Sequence, residues 1–435
     1  MRQTRVLRVA AVVAMAAGAA GVGVVAGASA QQGSGSGAGG GVQQAELVGR
    51  SVLPAETYRP ASAPSGFFTG ITTPIAAPFP GQPVQGFSGV HRNADGSYLV
   101  MSDNGFGAKA NSQDFELRVH RIVPDFATGV TSVVDGGFGL SDPDRKIPWT
   151  IWRDGGCAAA ATLPAGYTCP APDRVLTGWD FDIEAFQIAP DGTFWFGDEF
   201  GPFLLHTDTT GRLLAEPTPT PGVMSPSNPT LPPGATPNLA NSKGFEGMAM
   251  SPDGRTLYPM LEGPVAEDTA AGLPADLRIF KVKLDQGGNR ARFTGEFSRY
   301  RMEQPGDSIG DFIAVNQHQF LVIERDQGAG PTARFKAVFL IDLRDQDHDG
   351  YVDKQLLVNL MAVPDPGGAG GLGPFFSFPF VTIEDVEIVD RNTIAVLNDN
   401  NFPGTGGRAP DRPDENELIL VRLDQPLDVA RGIIA

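Results

Sequence analysis

The sequence predicts an all-β fold: a β-propeller of about six blades, five of them visible as a repeated hairpin, closed by pairing of N- and C-terminal strands. Three observations carry this expectation. Segments starting at 181, 243, 308 and 381 resemble one another and recur at intervals of 62, 65 and 73 residues, longer than most solenoid periods and suited to four-stranded blades with long loops. Each segment runs from an apolar strand through a tight turn into a second apolar strand, and 55 Gly with 37 Pro supply many more turns. Helical periodicity is nearly absent. A pair of β-sandwiches is the alternative architecture.

In chain order, residues 1–30 read as an export signal. Arg2, Arg5 and Arg8 precede an Ala/Val/Gly-rich stretch ending in Ala28, Ser29 and Ala30, a small-residue cleavage pattern. A membrane anchor is the competing reading, and no other apolar run is long enough to span a bilayer. Residues 31–44 are a Gly/Ser-rich linker, and residues 45–435 make a single domain. A strand from Glu46 to Val52 is placed to pair with Leu418 to Leu423 and close the ring. The five hairpins begin at Gly86, Ile183, Gly244, Ile309 and Thr382, and turn at Asp95, Asp191, Asp253, Asn316 and Asp390. Further strand-like runs at 116–122, 277–282 and 337–341 supply third strands. Cys157 and Cys169, the chain's 2 cysteines, lie in one Gly/Ala/Pro-rich insertion, and in an exported chain they are expected to form a disulfide. Pro217 to Asn238 reads as a long surface loop. The glycine-rich stretch from Gly367 to Pro374 lacks the Lys-Ser/Thr of a phosphate-binding loop.

The formal net charge is −17, and loss of the three signal arginines would take it to −20. That argues against nucleic acid or an anionic membrane surface as a partner, and suits an exported protein that meets divalent cations. The chemistry-bearing residues sit at the hairpin ends. In an antiparallel hairpin the start of one strand lies beside the end of the next, so Glu184 should neighbour Asp198, and Glu246 should neighbour Glu262. Adjacent carboxylates repel, a cost that metal binding or proton sharing offsets. Repetition predicts a ring of acids in which Glu184, Asp198, Glu246 and Glu262 are the catalytic candidates, with Glu199, Glu324 and Glu384 as metal ligands. Asp311, Asp326 and Asp399 belong to the same set. The competing reading makes these acids caps for backbone amides at blade turns. Oxygen-only ligands favour Ca²⁺ or Mg²⁺ over zinc.

A separate segment, Asp345, Asp347, Asp349, Gly350, Tyr351 and Asp353, matches the first nine positions of a calcium loop: oxygens at 1, 3 and 5, Gly at 6, a carbonyl at 7 and an acid at 9. Leu356 stands where a helical calcium hand has its bidentate Glu, and the flanks read as strands, so a structural calcium site or a solvated acidic turn is expected. Lys243, Arg278, Arg325 and Lys336 are candidates to hold an anionic substrate, or else to pair with the acids. His91, His120, His206, His318 and His348 form no zinc pattern, and no Gly-x-Ser-x-Gly elbow occurs.

The runs 244–249, 252–258 with Glu262, 320–326, 192–201 and 383–400 together resemble the exported phytase-like family often described as having esterase-like activity, across roughly residues 80 to 425. The resemblance implies action on phosphate esters, with the repeated Glu and Asp residues as the active groups. Ser88 and Gly310 depart from the repeated acid, so the ring is incomplete in those two blades. The resulting expectation is a secreted or periplasmic, calcium-dependent hydrolase of phosphate mono- or diesters, acting as a monomer on a small anionic substrate. A non-catalytic calcium-stabilised propeller that binds a cell-wall or protein ligand is one alternative, and a metal-dependent lactonase is another.

Overall fold

Short apolar strands with polar turns cannot bury both faces in one sheet, and here they stack as separate four-stranded sheets around an axis. The computed structural model describes residues 45–157, 162–285 and 290–434. The expected export signal and linker, residues 1–44, lie outside these. After β1 (Ala45–Leu53), the first blade holds β2 (Phe87–Arg92), β3 (Tyr98–Ser102), β4 (Arg118–Asp125) and β5 (Val130–Gly139). The second holds β6 (Ile183–Ile188), β7 (Phe194–Asp198), β8 (Phe203–Thr207) and the short β9 (Thr218–Pro219). The third holds β10 (Phe245–Met250), β11 (Thr256–Leu261), β12 (Asp276–Leu284) and β13 (Ala291–Arg301), with helix α1 (Ala266–Ala270) between its middle strands. The fourth holds β14 (Ser308–Ala314), β15 (Gln319–Arg325), β16 (Lys336–Asp342) and β17 (Asp353–Asn359). A small ribbon, β18 (Val363–Pro364) with β19 (Phe375–Phe376), precedes β20 (Ile383–Asp390), β21 (Thr393–Asn398) and β22 (Asn416–Leu423).

The last blade is completed by the first strand. β1 runs antiparallel to β22 from Ala45 opposite Leu423 to Leu53 opposite Asn416, so the chain's two ends close the ring as the sequence predicts. A single parallel pairing, Val52 with Val130, ties that blade's edge to the first. The innermost strands β2, β6, β10, β14 and β20 contact one another in turn and back to β2. Five buried apolar clusters fill the five gaps between neighbouring blades. Each buried Val, Leu, Ile or Phe in them contributes about 1.5–3 kcal/mol, which gives the axis a rigid wall. The described residues therefore form a five-bladed propeller, one blade fewer than the expected six. The long interval between the first two hairpins holds the loop closed by the Cys157–Cys169 disulfide, with Cα atoms 5.8 Å apart.

The acidic hairpin turns are structural. Asp95, Asp191, Asp253, Asn316 and Asp390 each accept the amide two residues on, at 2.8–3.1 Å. Gly96, Gly192 and Gly254 follow three of them with φ of +85°, +85° and +67°, the left-handed region that glycine adopts without strain.

Candidate functional site

Every innermost strand carries an irregularity at the same place. Pairing with the second strand shifts register between Phe87 and Val90, Ile183 and Ala185, Phe245 and Gly247, Ile309 and Phe312, and Ile383 and Asp385. A β-bulge re-aims the side chain of its extra residue. The bulged positions are Ser88, Glu184, Glu246, Gly310 and Glu384. The partners of the residues that precede the bulges, Ser102, Asp198, Leu261, Glu324 and Asn398, are followed by Asp103, Glu199, Glu262, Arg325 and Asp399. Two rings of five positions thus lie about the axis, one from bulges and one from strand ends. Together they hold seven carboxylates and one guanidinium.

Arg325 is the internal counterion. Its Nη2 donates to Glu384 Oε1 at 2.9 Å and Glu246 Oε1 at 3.3 Å, and lies 3.5 Å from Glu262 Oε1. The site is desolvated, yet these three carboxylates hold the guanidinium above its usual range. Its Nε is buried without a partner. Lys243 pairs with Glu262, and burial of its ammonium is outweighed by Glu262, Glu199 and Glu246, which raise it. Ser88 Oγ donates to Glu384 Oε2 at 3.0 Å.

Beyond these contacts the rings are mainly acidic, with Lys109 in electrostatic reach of Asp182. Carboxylate oxygens of Asp182, Glu184 and Glu199 come within 4.8 Å of one another, and so do those of Glu199, Glu246 and Glu262. Glu199 belongs to both groups, and its Oε1 is buried with no hydrogen-bond partner. Burial pushes the Glu184 carboxyl well above its usual range, and the charges of Asp182, Glu384, Glu246 and Asp103 add to that. Glu199 rises well above its range through burial, then Glu262 and Asp182. For Glu246 the causes are burial, Glu262 and Glu384. Asp399 is pushed up to about 8 by burial and by Glu384. Such groups must share protons or hold cations. An orphaned carboxylate oxygen amid hard oxygen donors, with no His or Cys in either group, fits Ca²⁺.

Several expected site residues lie elsewhere, and side-chain alternation explains why. Asp198 precedes ring residue Glu199 and points the other way, accepting the amides of Asp182 at 2.9 Å and Gly201 at 2.7 Å. It anchors a loop, and is not a catalytic group beside Glu184. Glu324 likewise precedes Arg325 and faces away, taking Tyr300 hydroxyl, the Glu303 amide and Lys354, so it is no ligand of the ring. Arg278 lies on β12, paired with Asp268 at 2.7 Å and stacked 4.7 Å over Phe297, outside the site. Lys336 is fully buried against Asp326 at 2.9 Å and the Val381 carbonyl at 3.1 Å, so it braces a loop and offers no charge to a substrate. Asp311 sits one residue beyond its bulge and accepts the Phe312 amide at 2.7 Å.

Asp399, expected in the acidic set, follows the second strand of the last blade. Two ring-side acids were not among the candidates, Asp103, which follows the second strand of the first blade, and Asp182. Asp182 precedes the bulge and accepts from the Asn104 amide at 3.2 Å and its Nδ2 at 2.7 Å.

Asp345, Asp347 and Asp349 gather their carboxylates within 4.8 Å in the turn between β16 and β17. Gly350 makes the bend at φ +91°, and the Tyr351 amide donates to Asp349 at 2.9 Å. Asp353 accepts the Gln346 amide at 3.1 Å. Leu356 lies in β17 opposite Phe339, so the loop joins strands as expected.

One curated relative, an uncharacterized secreted protein of Arthroderma benhamiae, is 25% identical over 183 residues, covering 35% of this chain and 36% of its own length. The match therefore spans about a third of that relative. Among solved structures, a calcium-binding protein, regucalcin, from Agrobacterium tumefaciens is 13% identical with a TM-score of 0.37, covering 89% of this chain and 97% of its own. The PQQ-bound aldose sugar dehydrogenase of Streptomyces coelicolor is 13% identical with a TM-score of 0.36, covering 78% and 95%. A family model described as the esterase-like activity of phytase matches residues 82–402, which contain both rings. The chain belongs to this phytase-like family.

Proposed function

We propose that the protein is an exported, calcium-dependent hydrolase of phosphate mono- or diesters, working at the carboxylate rings. The observation that carries the reading is that two adjoining halves meet at Glu199: Asp182, Glu184 and Glu199 gather their carboxylates, and beside them Arg325 and Lys243 are held among Glu246, Glu262 and Glu384. A phosphate ester needs both halves, since its oxygens must be gripped and its added charge offset.

Asp182, Glu184 and Glu199 would hold Ca²⁺, which when bound supplies Lewis acidity and offsets the ester's charge. Arg325, whose Nε is uncommitted, and Lys243 would bind phosphoryl oxygens. Glu199 Oε1, buried without a partner, would accept a hydrogen bond from the attacking water. Glu246, whose carboxyl is pushed up by burial, Glu262 and Glu384, would give a proton to the leaving oxygen. The Asp345–Asp353 loop would hold a second, structural calcium away from the rings. The disulfide supports an oxidising, extracytoplasmic setting.

The test is a reporter panel of nitrophenyl phosphate mono- and diesters and a lactone, each with calcium and with chelator. The reading expects phosphoester turnover that the chelator stops. Lactone turnover alone would favour the lactonase alternative, and no turnover of either, the binding module.

A further inference from the structure

A cavity of about 300 Å³ opens beside the rings, bounded by Ile71, Thr73, Phe106, Phe402, Pro403 and Asp103. It lies between the loop after β3, the loop after β21 and the segment leading into β2. Its position relative to the chemistry is fixed by two contacts. Asp103 is a strand-end ring residue, held in place by the Gly105 amide at 2.9 Å. It packs so closely on Gly86 that a Cβ there would come within 2.3 Å of its Oδ1. Asn401, also on the cavity wall, donates its amide to ring residue Asp399 at 2.6 Å. Through Asp103 and Asn401 the cavity therefore borders the strand-end ring at the first and last blades.

Its lining is mostly apolar, and among the described residues it includes no Lys or Arg. The walls are held stiffly. Phe79, Phe106, Phe115 and Phe402 stack against one another with ring centroids 5.0–5.5 Å apart, so the space is a formed feature of the loops. A substituent with negative charge would meet Asp103 in a wall that holds no cation, whereas an uncharged ring would gain contact with Ile71, Phe106, Phe402 and Pro403.

Resting on the phosphoester reading above, we propose that this cavity takes the organic substituent of the substrate ester and selects an uncharged one. The substrate class is then a phosphate ester of an apolar alcohol or phenol. A heavily phosphorylated polyol, whose every substituent is anionic, is excluded. The volume accommodates a single aromatic ring with room to spare.

The experiment uses non-hydrolysable phosphonates with the calcium-loaded full chain, and reads binding by calorimetry. Phenylphosphonate is expected to bind about tenfold more tightly than 4-carboxyphenylphosphonate, a ratio equal to about 1.4 kcal/mol. Thr73→Trp, at the exposed edge of the cavity, is expected to remove that preference while leaving methylphosphonate affinity unchanged; an unaltered melting curve confirms its fold. Equal or tighter binding of the carboxylated ligand, or a Thr73→Trp protein that keeps the preference, overturns the proposal. Because binding is read without turnover, the phenyl preference can stand even if no ester is hydrolysed, in which case the hydrolase reading alone fails.

Discussion

Arg325, at the end of β15, lies 2.9 Å from Glu384 in the bulge of β20, so one guanidinium joins the fourth blade to the fifth across the axis. It also reaches Glu246 of the third blade. Where the fourth blade lacks a bulge acid, having Gly310, it contributes the ring's one positive strand-end residue. The charge compensation of Glu246, Glu262 and Glu384 follows from that one residue.

Removing that charge leaves buried carboxylates uncompensated. Arg325→Gln is expected to destabilise the calcium-free protein by about 3–5 kcal/mol, the usual cost of breaking a buried ion pair. Urea unfolding of the two proteins without calcium checks this.

The buried acids also set the pH response. Asp198 and Asp311 are raised by burial from the ordinary 3.8 to about 7, and Asp399 to about 8. Between those limits the folded state keeps protons that the unfolded chain has lost, so the calcium-free protein loses stability as pH rises from about 4 to about 8. Glu417 acts oppositely: burial is outweighed by Arg408 and Arg50, which hold it below its usual range, and its contribution is lost in acid. Urea midpoints at pH 5.5 and 8.5 should therefore fall with pH when calcium is absent.

Calcium should displace those protons. Binding is expected to tighten with rising pH and to release protons, because Glu184 and Glu199 must ionise to serve as ligands. Calorimetric titrations in two buffers of different ionisation heat measure the number released. A value of zero would mean that calcium does not enter the ring.

The turn between β16 and β17 is separable. Asp347→Asn with Asp349→Asn is expected to remove one bound calcium per chain by equilibrium dialysis, with turnover retained. Retention of the full calcium count would leave that turn a solvated acidic loop.

Much of this was legible in the sequence because hairpins and strand closure depend on local pattern. The pairing of β1 with β22, the disulfide and the juxtaposition of Glu246 with Glu262 all followed from spacing and composition. The bulges did not, because one extra residue in a strand leaves no compositional mark. Without them the second-strand acids fell out of register: Asp198 and Glu324 were set in the ring, although their successors Glu199 and Arg325 face the axis. Alternation alone could have separated each pair, since neighbouring residues on a strand point to opposite faces. Asp182 carried no such signal, as it lies just before the repeat's strand. The five hairpins visible in the sequence are the five blades of the described residues, and the expected sixth has no hairpin of its own.

The central claim is that calcium held beside Glu199 drives phosphoester turnover. The most direct measurement is the rate of bis(4-nitrophenyl) phosphate hydrolysis against free calcium, in the wild-type protein and in Glu199→Gln. The account predicts saturable calcium dependence in the wild type, and a half-saturation point raised about tenfold or more in the variant, equal to at least about 1.4 kcal/mol of lost calcium affinity. Turnover independent of calcium, or an identical calcium curve in the two proteins, would contradict it.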